Sequence, residues 1–265
     1  PDQALRTGRY QDRYADTQLG TLLFPPRIFF GVNIMVKSIK KSIKNSFPDL
    51  YTFFLKINFD IQSYFAKKVL SYTSKDFMEI SGLSQPFFIV LIPGSLHIFE
   101  LWLKFLPSNV DIVLILNGLD SWELSWLKER INAPTITIKR MVDYGKIIDL
   151  ILDHFPKPFG LIDYDCFVFN KSFFENIKKI PDQTLTNSVF HWHDEMLNID
   201  IPGTYFMFLN PKEINKIRGE YRSNCRTAYY CQLSNKIKNQ LSILGMNNNG
   251  RLMNNHSIFD TMHVV

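Results

Sequence analysis

Between residues 86 and 162, short apolar runs alternate with segments of helical spacing, and this alternation constrains the fold more than any other feature of the sequence. The apolar runs, which predict buried strands, are 87–92, 111–116, 135–138 and 159–162. The predicted helices between them are 95–105, 122–130 (capped by Ser121) and 146–155. Continuous apolar strands joined by helices are typical of a mostly parallel sheet that is covered on both faces. We therefore predict an α/β fold.

The carboxyl ends of parallel strands meet at one edge of a sheet, where open α/β sheets bind their ligands. After the first three predicted strands the sequence places Pro93 with Gly94, then residues 117–120, and then Arg140. We expect these residues to lie near one another at the ligand-binding edge.

Two acids follow the fourth predicted strand, within the otherwise apolar segment 159–169. Residues two apart in a strand lie on the same side, so we expect the carboxylates of Asp163 and Asp165 to converge. Buried like charges repel each other, and a divalent cation such as Mg²⁺ or Mn²⁺, carried by a diphosphate, would compensate them. A lysine partner, or capping of the next turn, is the alternative explanation for this pair.

This order of features resembles the GT-A glycosyltransferases, nucleotide-sugar-dependent enzymes with a Rossmann-related fold, over roughly residues 86–210. The resemblance rests on Pro93-Gly94 after a strand, Asn117-Gly118-Leu119-Asp120 after the next, Tyr144-Gly145 at a helix start, and Asp163-Tyr164-Asp165. In that family the Asp-x-Asp pair holds a divalent metal on the diphosphate of the donor. The resemblance therefore implies that Asp163 and Asp165 hold Mn²⁺ or Mg²⁺, and that Asp163 also contacts the donor.

The resemblance further implies which residues surround the donor, a UDP- or GDP-sugar. They are Pro93, Gly94 and Asp120 around the base and ribose, and Tyr144 and Gly145 beside the rest of the donor. Arg140 and Lys146 are cations that would stabilise the charge developing on the leaving diphosphate. The chain departs from the common family-2 pattern at residues 117–120, which replace an acidic pair, and at Tyr144, which replaces an asparagine.

Residues 191–195 place two histidines and two acids around an indole. We expect Trp192 and His193 to bind the acceptor, and Asp194 or Glu195 to contact its hydroxyls or act as the base. A metal site formed by the two histidines, or an ordinary polar loop, is the alternative.

A second candidate base lies near the C-terminus. His256, Asp260 and His263 are spaced to share one helical face. Phe259-Asp260-Thr261 falls where GT-A enzymes often carry an acidic catalytic residue, so the resemblance implies that Asp260 is a base or an acceptor contact. A solvated helix face, or a further metal ligand from either histidine, is the alternative. The predicted helix has hardly begun at Val265, and we expect the domain to be truncated there.

The domain organisation follows from changes in composition. We expect a mainly helical N-terminal extension over 1–80 and a GT-A-like catalytic domain over 81–265. Residues 1–27 contain four arginines and no lysine, which indicates a foreign or flexible segment. Residues 32–44 form a lysine-rich amphipathic pattern, which predicts either a helical layer on the main domain or a peripheral contact with anionic lipid.

Composition narrows the class of protein. An apolar content of 46% excludes a disordered chain, and a net charge of +5 permits an anionic partner. The three cysteines lack metal-finger spacing, and we find no secretory signal or membrane-spanning run. We therefore expect a cytoplasmic protein, at most peripheral at the cytoplasmic face of the membrane.

The leading hypothesis is a metal-dependent glycosyltransferase that moves a sugar from a nucleotide-sugar donor to a glycan or lipid-linked acceptor. One alternative is a sugar-phosphate nucleotidyltransferase, which normally has a Gly-rich basic loop after the first strand, whereas residues 93–97 contain no lysine or arginine. The other is a non-enzymatic basic module that binds a membrane surface or nucleic acid. Scattered basic residues and the lack of a recognised motif argue against nucleic acid.

Overall fold

The computed structural model describes Lys68 and residues 73–194, 199–243 and 258–259. The chain divides into two compact units, Pro1–Phe59 and Asp60–Val265, and all described residues belong to the second. The segments predicted as a foreign or flexible terminus (1–27) and as a membrane contact (32–44) lie outside the described residues. No helix in the described part of the chain is long and apolar enough to cross a membrane.

The first part of the described chain alternates strands and helices as predicted. Its elements are α1 (Ser74–Glu79), β1 (Phe87–Leu91), α2 (Leu96–Trp102) with a 3₁₀ turn (Leu103–Phe105), β2 (Ile112–Asn117), α3 (Ser121–Arg130), β3 (Thr135–Ile138), α4 (Tyr144–His154) and β4 (Phe159–Ile162). The bounds of β3 and β4 are as predicted. Strand β2 continues to Asn117 because this residue still pairs with Ile138. The predicted cap of α3 is wrong, since Ser121 is already helical and Asp120 is the N-cap.

The second part adds antiparallel strands and three helices. Its elements are α5 (Ser172–Ile177), β5 (Thr186–Ser188), β6 (His191–Asp194), β7 (Ile199–Pro202), β8 (Phe206–Leu209), α6 (Pro211–Tyr221), β9 (Ala228–Tyr229) with a 3₁₀ turn (Tyr230–Gln232), α7 (Asn235–Ile243) and β10 (Ile258–Phe259). Strands β9 and β10 pair in the antiparallel sense. The helix predicted around Asp260 is therefore wrong at residues 258 and 259. A partner distant in the sequence decides the outcome, because Ile258 pairs with Tyr229 and Phe259 pairs with Ala228 of β9.

The main sheet has six strands in the order β3-β2-β1-β4-β8-β5. Strands β3, β2, β1 and β4 are parallel, and β8 runs antiparallel to β4. Strand β5 pairs antiparallel with β8 and therefore runs in the same direction as the first four strands. This topology confirms the predicted mostly parallel α/β sheet flanked by helices. The strand order reverses between β1 and β4, and such a reversal opens a crevice at the carboxyl ends of the strands.

Two apolar clusters cover the two faces of the sheet, and β1 contributes alternate residues to both. Phe88 and Val90 belong to the cluster that contains the apolar residues of α4, whereas Phe87, Ile89 and Leu91 face α2 and α3. All five residues of β1 are buried, which explains its continuous apolar sequence. Beside it, a Cβ at Gly160 would come within 2.8 Å of Cγ of Phe87, so this position of β4 requires glycine.

Candidate active site

The ends of β1, β2 and β4 bring the predicted donor-binding segments to one edge of the sheet. Pro93 and Gly94 form an exposed turn after β1, and Gly94 has a left-handed φ of 84° that favours glycine. Asp120 lies after β2 as the exposed N-cap of α3, and Arg140 is exposed in the loop before α4. Asp163 follows β4 directly, so the topology places it beside the β1 turn at the crevice.

The carboxylate pair lies on a turn and not on a strand. Strand β4 ends at Ile162, and the Cys166 N–H donates to the Asp163 carbonyl at 3.0 Å to close the turn. The prediction that strand alternation aligns the two acids is therefore wrong, because the chain bends before their side chains can alternate. The turn still brings the charges close together, since the Asp165 carboxylate contributes to raising the pKa of Asp163.

Neighbouring elements hold this turn in place. The Asp163 N–H donates to the Tyr205 carbonyl at 2.9 Å, in the segment that leads into β8. The indole N–H of Trp102, at the end of α2, donates to the Cys166 carbonyl at 2.8 Å. The turn is thus anchored before and after the acidic pair, which fixes the position of both carboxylates.

The Tyr144 phenol donates a hydrogen bond to Oδ1 of the Asp163 side chain at 3.3 Å. Burial is the main cause of the raised pKa of Asp163, about 6 against an ordinary value of 3.8, and the Asp165 charge adds to it. The hydrogen bond from Tyr144 acts in the opposite direction. Burial and the adjacent Asp163 charge also raise the pKa of the Tyr144 phenol, which keeps it a hydrogen-bond donor.

A buried lysine lies one turn into α4, two residues after Tyr144. Lys146 is 7% exposed, and burial followed by the charge of Arg226 lowers its pKa to about 8. Gly145 explains how Arg226 comes so near, because a Cβ at this position would lie 2.6 Å from Cα of Arg226. The backbone at residues 225–226 therefore packs directly on the first turn of α4, a contact that no local sequence pattern predicts.

An ion-pair network holds segment 225–226 against α4. Asp149 of α4 accepts the Cys225 N–H at 3.0 Å and also binds the Arg218 guanidinium of α6 at 3.0 Å. Arg218 pairs with Asp153 at 2.9 Å as well. Helix α6 and the segment after it are thereby joined to the helix that carries Tyr144 and Lys146.

Two buried polar side chains connect the loops of the site. The sequence placed Asn117 at the ligand-binding edge without a contact, and it did not assign Glu123 to the site. Asn117, 2% exposed, accepts the Val142 N–H at 2.9 Å and donates to the Val142 carbonyl at 3.0 Å. Glu123, 1% exposed, accepts the Gly94 N–H at 2.8 Å through Oε1 and the Asp120 N–H at 2.9 Å through Oε2. The spacing Asp120-x-x-Glu123 is a capping-box signature and was the available signal for the second.

The predicted acceptor segment forms a hairpin of β6 and β7. His191 Nε2 lies 2.8 Å from the Ser188 carbonyl, and His193 Nδ1 lies 2.9 Å from Oδ1 of Asp200. Each histidine thus has its own partner, which gives no support to a shared metal site. The hairpin begins next to Phe190, whose ring centroid is 5.7 Å from that of Tyr205, the residue that anchors Asp163.

The remaining predicted residues have no described side-chain environment. Trp192 and Asp194 belong to β6, and their side chains lie outside the described part of the structure. Glu195 and Asp260 lie outside the described residues altogether. Their assignments to the acceptor and to the base stay predictions.

The carboxylate oxygens at the carboxyl edge of the sheet fit a divalent cation that is also bound by a diphosphate. Asp163 and Asp165 supply hard oxygen ligands, and their mutual repulsion would be relieved by a cation. Within the described residues, no group of three or more His, Cys, Asp or Glu side chains converges as a complete metal site. The arrangement therefore suits a Mg²⁺ or Mn²⁺ ion that shares its coordination with the oxygens of a diphosphate.

A six-stranded, mostly parallel sheet flanked by helices defines a Rossmann-like α/β protein. A family model described as StrH glycosyltransferase N-terminal domain matches residues 70–214, which is more than half of the chain. The chain belongs to this glycosyltransferase family, so the glycosyltransferase class implied by the resemblance is confirmed.

A curated relative agrees with this assignment over a shorter stretch. The chain is 32% identical over 92 residues to dTDP-dihydrostreptose--streptidine-6-phosphate dihydrostreptosyltransferase of Streptomyces griseus. That alignment covers 34% of this chain and 24% of the relative, so the similarity spans about a quarter of the relative's length. No solved structure matches the chain.

Proposed function

We propose that this protein is a metal-dependent glycosyltransferase that takes a sugar from a nucleoside diphosphate and passes it to a glycan or lipid-linked acceptor. The observation that carries the proposal is the Asp163–Asp165 pair, anchored on a turn at the carboxyl end of β4 beside Tyr144. Family membership supports glycosyl transfer. The carboxylate pair adds a reason to expect a divalent cation and a diphosphate.

Similarity to the curated relative adds one class of nucleotide sugar to the candidate donors. The name of the Streptomyces relative contains a dTDP-linked sugar, so we add dTDP-sugars to the UDP- and GDP-sugars expected from the sequence. When bound, Mn²⁺ or Mg²⁺ would neutralise charge on the diphosphate as the bond to the anomeric carbon breaks. Lys146 would add a positive charge at the same side of the site, with exposed Arg140 as a further candidate.

Acceptor binding is assigned to the β6–β7 hairpin. Its base lies against Tyr205, next to the carboxylate turn, so a molecule bound by His193 and Trp192 would approach the donor from this side. A carboxylate base then takes the proton of the acceptor hydroxyl as the new bond to the anomeric carbon forms. Asp194, Glu195 and Asp260 are the candidates for that base. A cytoplasmic location, with peripheral membrane contact through residues 32–44, remains part of the proposal.

The loop after β1 argues against the rival nucleotidyltransferase. Such an enzyme presents backbone N–H groups and basic side chains to phosphate at this position. Here the Gly94 N–H already donates to the buried Glu123 carboxylate, whose negative charge disfavours a phosphate at the same place.

A test of which substrate the protein consumes distinguishes a glycosyltransferase from a nucleotidyltransferase. The purified protein is incubated with Mn²⁺ and a panel of dTDP-, UDP- and GDP-sugars, and release of the nucleoside diphosphate is measured with and without EDTA. We expect EDTA-sensitive release of the diphosphate from at least one donor. Pyrophosphate release from a nucleoside triphosphate with a sugar phosphate, without any turnover of nucleotide sugars, would instead support the nucleotidyltransferase.

A further inference from the structure

Glu123 is a buried acid that the proposed chemistry does not use. It lies in the first turn of α3 and is 1% exposed, although an ionised carboxylate without partners is costly to bury. Its two oxygens are occupied by backbone donors from two different loops, the Gly94 N–H and the Asp120 N–H. One side chain therefore links the turn after β1 to the turn after β2.

This link is unlike an ordinary helix cap. The bond to Asp120 is the local arm of a capping box and joins neighbouring residues. The bond to Gly94 spans 29 positions in the sequence and is not needed to start α3. Gly94 has a φ of 84° and open space around its Cβ position, so packing does not hold it there. The Ser95 N–H closes this turn on the Ile92 carbonyl at 3.1 Å, and the hydrogen bond to Glu123 ties the turn to α3.

We infer that Glu123 is a positioning residue that sets the separation of the β1 and β2 turns, and thereby shapes the site for the nucleoside part of the donor. The inference rests on the proposed function, because it takes Pro93, Gly94 and Asp120 as the residues around the base and ribose. Glu123 itself is enclosed by these turns and does not contact the ligand. Glu123 acts on the ligand indirectly, by setting the positions of the Gly94 and Asp120 backbone amides that it binds.

The test compares Glu123→Gln with a matched variant on the same helix. Glutamine keeps the shape but replaces one acceptor oxygen by an NH₂ group, so one of the two amides loses its partner. The control is Glu129→Gln, which removes the same charge from an exposed side chain of α3 that pairs with adjacent Arg130 at the surface. Both proteins are compared with the unaltered chain for affinity toward dTDP, UDP and GDP in the presence of Mn²⁺, and for hydrogen–deuterium exchange.

We expect Glu123→Gln to weaken binding of the preferred nucleotide about tenfold. We also expect faster exchange at the amides of residues 94–95 and 119–121, with exchange in β1 and β2 unchanged. Glu129→Gln should change neither quantity. Faster exchange throughout β1 and β2 would show a merely structural role and overturn the inference, as would unchanged exchange at the two turns or unchanged nucleotide affinity.

Failure of the proposed function gives a different result. If the unaltered protein binds none of the three nucleotides, the proposed donor site is wrong and the positioning role toward it falls too. In that case faster exchange at both turns in Glu123→Gln would still show that Glu123 links the β1 turn to the β2 turn. Nucleotide binding by the unaltered protein that Glu123→Gln retains in full would overturn the inference alone.

Discussion

The phenol of Tyr144 donates a hydrogen bond at 3.3 Å to the carboxylate of Asp163, joining the first residue of α4 to the turn after β4. Tyr144 and Asp163 lie 19 positions apart in the sequence, one at the start of a helix and the other in a turn. The contact joins the acidic turn to the helix that also carries Gly145 and Lys146.

The buried charge of Asp163 should destabilise the protein without metal at neutral and higher pH. Its pKa of about 6 lies above the ordinary 3.8, so the folded chain holds this proton more tightly than the unfolded chain. Stability at this site is therefore highest below about pH 4 and falls as the pH rises through about 6, by up to about 3 kcal/mol. Asp163→Asn in EDTA should raise the melting temperature at about pH 8, and its advantage should largely disappear at about pH 4.

The matched control for this effect is Asp111→Asn, at an exposed position before β2 and away from the carboxyl edge. It should leave the melting temperature nearly unchanged at both pH values. An Asp163→Asn protein that is equally or less stable than the unaltered protein at about pH 8 would show that the carboxylate is not destabilising in the folded state.

The charge of Lys146 should make nucleotide binding depend on pH. Burial and Arg226 lower the pKa of Lys146 to about 8, so its ammonium loses its charge as the pH passes through that value. Affinity for a nucleoside diphosphate should therefore decrease from about pH 7 to about pH 9, measured by calorimetry. Lys146→Arg keeps its charge throughout and should bind with little pH dependence, and Lys146→Met should bind weakly at both ends of the range. The same pH dependence in Lys146→Arg would exclude Lys146 as its source.

Gly145 should not tolerate a larger side chain. A Cβ there would lie 2.6 Å from Cα of Arg226, and backbone cannot move aside as a flexible side chain can. Gly145→Ala should lower the free energy of unfolding by about 2 to 3 kcal/mol in urea denaturation. Gly219→Ala is the control, because nothing lies within 4 Å of a Cβ at this helical position. Gly219→Ala should leave the free energy of unfolding unchanged or raise it by about 0.5 kcal/mol. If both substitutions changed the free energy of unfolding equally, the close contact between Gly145 and the Arg226 backbone would be contradicted.

The sheet was predictable because its strands bury both faces. Strands such as β1 then have continuous apolar sequences, bounded by turn residues such as Gly94, and local sequence is enough to find them. The acidic pair after β4 was predictable for the same reason, since charges stand out against apolar flanks. The turn that carries Asp163 and Asp165 was not predictable, because Trp102 and Tyr205, which are distant in the sequence, anchor it.

The connections within the site could not be found from local patterns. Lys146 is buried because segment 225–226, about 80 residues later, packs on the helix that carries it. Asn117 stands where the resemblance expected an acid, and its amide binds the backbone of Val142 across 25 positions. Glu123 is a partial exception to this rule. The capping-box spacing predicts its hydrogen bond to Asp120, whereas no local pattern predicts its hydrogen bond to Gly94.

The central claim is that Asp163 and Asp165 bind a divalent cation together with a nucleoside diphosphate. Calorimetric titration of dTDP, UDP and GDP into the protein, with Mn²⁺ and separately with EDTA, measures it most directly. The combined variant Asp163→Ala with Asp165→Ala is compared with Asp111→Ala with Asp182→Ala, which removes two exposed carboxylates elsewhere. We predict that Mn²⁺ tightens binding of at least one nucleotide by about tenfold or more in the unaltered and control proteins, and that the Asp163/Asp165 variant loses this gain. An undiminished Mn²⁺-dependent gain in that variant would contradict the claim.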